Sequence, residues 1–112
     1  MNVKKQYALG VLLVLIQSCA TDAVDADPTV FYWDQTKCAD PWETTENDSN
    51  EVTEIALKDY LENNDVSVQN IEFDQSILPE QCEACNCVTG QRIVVDVNLT
   101  SIAKMGNLGF YQ

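Results

Sequence analysis

The chain has 112 residues, with 18 acidic side chains, 6 basic ones and no histidine. That length holds one domain at most. A net charge of −12 disfavours nucleic acid and anionic headgroups as partners, and the lack of histidine excludes Ser-His-Asp and Cys-His catalysis.

Residues 1–18 read as a signal peptide. Lys4 and Lys5 precede an apolar run from Tyr7 to Ile16. As a helix that run covers about 15 Å, half of a bilayer core of about 30 Å, so it is too short to span a membrane. Ile16-Gln17-Ser18-Cys19 resembles the bacterial lipobox. The resemblance implies cleavage before Cys19, diacylglycerol on its sulfur and an acyl chain on its new amino group, with several chains together anchoring stably. The expected location is the cell membrane or outer membrane, facing periplasm or exterior, with the lipid membrane as a partner through Cys19. Without the leader and its two lysines, the remaining 94 of the 112 residues carry −14 in place of −12. Such acidity serves solubility first and leaves cationic partners or metal ions open.

Residues 19–28 contain Asp22, Asp25 and Asp27 and almost no large apolar side chain, the composition of a flexible, solvated tether. A single small domain is expected over 29–112. Thr29 to Trp33, β-branched and aromatic, predicts a first strand. Cys38-Ala-Asp-Pro41-Trp42 should end regular structure, because proline removes a donor and fixes φ. Trp33 is expected in the core, and Trp42, beside Pro41 in a loop, is the candidate surface contact.

A helix follows, with Asp48 or Asn50 as N-cap and Glu51 at capping-box spacing from Asp48. Val52, Ile55, Ala56 and Tyr60 are assigned to its inner face, widened by Leu57 and Leu61. Glu54, Lys58 and Glu62 lie opposite, and Asn63-Asn64 is the expected left-handed terminator. Val66 to Phe73 predicts a second strand. Its alternation slips between Val68 and Ile71, which a bulge near Gln69 or Asn70 reconciles. Thr89-Gly90 is read as a turn before a third strand, Gln91 to Asn98, with Ile93, Val95 and Val97 on one face. A short helix through Lys104 should turn Leu99, Ile102 and Met105 inward and stop at Gly106. Leu108 to Tyr111 is a candidate short fourth strand.

The order β-α-β-β-α predicts an α/β sandwich of the ferredoxin-like, split βαβ kind. Its crossover makes strands one and two parallel. The loop leaving strand one and the connection between strands two and three then emerge at one end of the sheet. Cys38 lies in the first and Cys82, Cys85 and Cys87 in the second, so the fold should bring all four sulfurs together. Two structural disulfides are the leading reading for a small exported domain. Cys38 would join one of the trio and the other two would pair. Cys85–Cys87 is the most strained local choice, which assigns Cys82 to the local bridge. Two alternatives use the same sulfurs: a thiolate site for zinc or copper, and a redox-active Cys82-Glu-Ala-Cys85 dithiol, disfavoured by Glu80 and Glu83.

Cys38-Ala-Asp-Pro-Trp42, together with Cys82-Glu-Ala-Cys85-Asn-Cys87-Val-Thr-Gly90 and the Ile-Val-Val-Asp-Val strand after it, resembles a family of small lipoproteins of Bacteroidota-type bacteria. The resemblance covers nearly all of the chain beyond the leader and implies an envelope location; it brings no activity with it. Val66 to Phe73, Arg92 to Asn98 and the terminal Leu-Gly-Phe also resemble the back half of heavy-metal-associated domains. Those domains carry their C-x-x-C in the first loop. Here that loop has only Cys38, so this resemblance implies the fold rather than copper transport. The functional expectation is an acylated, non-enzymatic binding or structural module with an envelope protein or ligand as partner. The thiolate metal binder and the thiol oxidoreductase stand as alternatives.

Overall fold

The structure is a computed structural model, which describes residues 27–112. The leader, Cys19 and the tether as far as Ala26 lie outside the described residues. Strands β1 (Val30–Thr36), β2 (Val68–Asp74) and β3 (Val88–Val97) form one sheet in the order β1-β3-β2. Both outer strands run antiparallel to β3, so β1 and β2 are parallel with β3 between them. Helix α1 (Asn50–Asn63) makes the crossover, and a 3-10 turn over Leu99–Ser101 leads into helix α2 (Ile102–Asn107). This is the split βαβ arrangement expected of the element order.

One face of the sheet carries the core. Ile93, Val95 and Val97 alternate inward along β3 and are almost fully buried. They pack with Phe31, Ile71, Leu57, Leu61 and Met105. The helical stripe is rotated from the expected one. Thr53, Leu57 and Leu61, four apart, are its buried residues, whereas Ile55 is 66 % exposed and Val52 48 %. A polar Thr53 on the inner line hid the true phase, which the 3.6-residue period makes i, i+4, i+8.

The ends of α1 also differ from expectation. Ser49 caps the start, its hydroxyl accepting from Val52 N, while Asp48 Oδ2 accepts from Thr45 N at 2.8 Å. At the other end, Asp65 rather than an asparagine takes the left-handed conformation, at φ 64°. Asp65 N donates to Glu62 O and Val66 N to Leu61 O, which closes the last turn in a Schellman motif. Val66 then packs beside Leu61 in the core.

The predicted bulge in β2 is present: the register against β3 shifts between Val68 and Asn70. A second shift, between Asp34 and Thr36 against β3, surrounds Gly90 at φ +99°. Thr89-Gly90 is therefore a bulge inside β3 rather than a turn before it. The positive φ at Gly90 favours glycine, and a Cβ there would also crowd Pro79 Cδ at 3.2 Å. In the last helix Met105 is buried as expected, but Leu99 is 67 % exposed. The helix continues past Gly106 to Asn107, and Gly109, at φ +99°, turns the chain. The fourth strand reduces to one pair: Tyr32 and Tyr111 exchange backbone hydrogen bonds of 2.7 and 3.1 Å at the free edge of β1.

Candidate functional site: a disulfide-stapled rim

The end of β1 and the β2–β3 connection meet at one rim of the sheet. Backbone pairing continues past β1, with Lys37 N donating to Cys87 O at 2.9 Å and Cys38 N to Cys85 O at 3.0 Å. Those bonds set Cys38 beside Cys85, and a disulfide joins them across 47 residues, with Cα atoms 4.5 Å apart. A second disulfide joins Cys82 to Cys87, Cα atoms 6.1 Å apart. Both Cα separations lie in the range that disulfides adopt. The pairing agrees with a long bridge from Cys38 and a local bridge using Cys82.

The loop between is held by polar contacts as well. Lys37 Nζ donates to Cys82 O at 2.7 Å. Glu80 Oε1 accepts from Val88 N at 2.8 Å, and Glu80 N donates to Val88 O at 3.0 Å. A carboxylate oxygen of Glu80 and the sulfurs of Cys82 and Cys87 all lie within 4.8 Å of one another. With both bridges closed, all four cysteines of the rim are in disulfides and offer no thiolate to a metal or a substrate.

Trp42 is not at the surface. It is only 6 % exposed, with its ring 5.2 Å from Trp33, 5.7 Å from Tyr60 and 6.1 Å from Phe110. The turn from Asp40 to Glu43, closed by Glu43 N donating to Asp40 O at 2.9 Å, puts the indole in the core instead of at the surface. Asp40, in the same turn, is the residue that anchors it. Its Oδ1 accepts from Trp33 Nε1 at 2.9 Å, Thr36 N at 3.1 Å and Thr36 Oγ1 at 2.8 Å. Burial raises the Asp40 carboxyl above its ordinary value, against the lowering pull of those three donors. Its Oδ2 and Trp42 Nε1 are buried without protein partners.

Sequence reasoning gave Asp40 and Glu80 no positioning role, although Asp40 sits in the Cys-Ala-Asp-Pro-Trp motif. A short acceptor before proline in a turn is the signal that could have marked it. Gln35, buried in β1, was also overlooked. It accepts from Thr89 at 3.0 Å and Gln91 at 3.2 Å, and Gln91 reaches Asn50 at the start of α1 at 3.0 Å. This polar seam ties the bulge in β3 to the helix.

No helix of the described residues is long and apolar enough to cross a membrane. No protein-family model, curated protein or solved structure matches the chain.

Proposed function

We propose that the protein is a cell-envelope lipoprotein, anchored through acylated Cys19, whose domain is a stapled binding or structural module rather than an enzyme. The observation that carries this reading is the pair of disulfides at one rim, since such bridges form and persist in oxidising, extracytoplasmic compartments. The lipobox-like Ile16-Gln17-Ser18-Cys19, the basic and short apolar leader before it, and the resemblance to small Bacteroidota-type lipoproteins point the same way. A chain without histidine has no Ser-His-Asp or Cys-His arrangement, and rim cysteines closed in bridges offer no thiolate, which favours binding over nucleophilic or thiol chemistry.

The test is palmitate labelling and fractionation of the full chain, wild type against Cys19→Ser, together with intact mass before and after reduction. The expected result is a labelled protein in the membrane fraction and a gain of four hydrogens on reduction. Label and membrane association should both be lost in the variant. An unlabelled, freely soluble wild-type protein overturns the anchoring. An unreduced mass that shows four free thiols overturns the stapled module.

A further inference from the structure

The core and both helices occupy one face of the sheet, and among the described residues no element covers the other. Register places Tyr32 and Asp34 of β1, Arg92, Val94 and Asp96 of β3, and Glu72 and Asp74 of β2 on that open face. Four carboxylates thus stand against one cation. Arg92 is already engaged, with Nη2 2.9 Å from Asp74 Oδ2. Its guanidinium carbon also lies 4.2 Å over the Tyr32 ring. Tyr111, 44 % exposed, extends the aromatic surface, its ring 5.6 Å from Tyr32 and its hydroxyl donating to Asp34 at 2.6 Å.

The geometry points to this face as the docking surface for a cationic, arginine-bearing polypeptide segment. The inference rests on the binding-module reading above and supplies the partner's chemistry. A guanidinium is attracted by a carboxylate and by the face of a phenol ring, and Arg92 shows both contacts being made here at once. An extended segment places alternate side chains on one side about 6.4–6.8 Å apart, so several can lie over one sheet face. A second copy of this chain is the wrong occupant, because two such faces would set a fourfold excess of carboxylate against its like.

The probe is an acetylated, amidated octapeptide of alternating Arg and Ala. It is titrated into the nitrogen-15-labelled protein as the cell delivers it, in neutral detergent, with the Glu-Ala octapeptide as comparison. The expected result is amide shift changes centred on Tyr32, Val94 and Tyr111 with the arginine peptide alone. Binding should weaken at least tenfold in D34N/E72Q/D96N. It should change less than threefold in E54Q/D59N/E62Q, which removes the same charge from the exposed side of α1.

Equal weakening in both triple variants overturns the proposal in favour of net charge alone. So do shifts confined to other surfaces, no binding, equal binding of the acidic peptide, or concentration-dependent shifts of this face without peptide. Should the first triple variant lose its dispersed spectrum, E72Q alone and a salt series from about 20 to about 300 mM replace it. The affinity must then fall in both, since exposed pairs are screened beyond about one Debye length. Anchoring is scored separately by the palmitate label, so a labelled protein that ignores the peptide sinks this inference and leaves the other standing.

Discussion

The two ends of the sheet are held by different physics. At the base, where α1 ends and α2 begins, Leu61, Val66, Val97 and Met105 are buried together and no cross-link is present. Ser101 Oγ accepts from Ser67 N at 2.9 Å, and Ser67 O accepts from Asn98 N at 2.9 Å, so the polar groups there are paired inside an apolar frame. At the rim, residues 75–86 are exposed except for the half-buried Ile77, and Leu78 is 86 % exposed. That segment buries too little apolar surface to offset the entropy of ordering it. Disulfides appear where the hydrophobic core stops, which is the division of labour expected of a small domain.

Removing the staples should therefore damage the rim most, in proportion to the loop each closes. Cys38→Ser with Cys85→Ser opens a loop of 47 residues' separation, and should cost about 4 kcal/mol on the chain-entropy account. Cys82→Ser with Cys87→Ser opens a separation of 5 and should cost about 2 kcal/mol on the same account. Urea unfolding of both double variants checks the order. A reversed order would show that the short bridge acts on the native rim and not on the unfolded chain. Leu61→Ala at the base should cost about 3 kcal/mol, within the range for a fully buried leucine. Hydrogen exchange then separates the regions. The leucine variant should speed exchange throughout the sheet, and the short-bridge variant only at residues 80–88.

Much of this was legible in the sequence. The clean alternation of Ile93, Val95 and Val97 marks the core strand, and the slip between Val68 and Ile71 marks the bulge in β2. The convergence of Cys38 with the trio followed from topology, because a parallel crossover leaves no other end for the two loops. What failed has a common cause: local pattern cannot see the partner across the sheet. Thr53 is buried because of where α1 lies, not because of its polarity. Trp42 is buried because Asp40 folds its turn inward. Thr89-Gly90 looked like a turn, since Pro79 and the facing Thr36 of β1, which make it a bulge, are distant in sequence.

Smaller effects probe the junctions. Ser49→Ala removes the acceptor for Val52 N at the start of α1, a bond of 3.1 Å. It should lower stability by about 1 kcal/mol, the usual cost of an N-cap. Asp48→Ala should act differently, through the turn at Thr45 N, and its effect should add to that of Ser49→Ala in urea unfolding.

Asp40 lies where rim and core meet, and its effect is one of sign. Burial lifts its carboxyl above the ordinary value, so the folded state holds that proton to higher pH than the unfolded chain does. The contribution is fully present below the ordinary carboxylate value and is lost as pH rises through the folded one. Asp40→Asn cannot titrate there, yet keeps an oxygen to accept from Trp33 and Thr36. Wild-type stability measured relative to this variant should accordingly fall as pH rises above the ordinary carboxylate range. Asp74 shifts the opposite way, lowered by its hydrogen bond from Arg92, but it is common to both proteins and cancels in the difference. A difference that rises with pH would mean that the donors from Trp33 and Thr36 outweigh burial. The rim would then be drawn onto the core by a charged carboxylate and not by a protonated one.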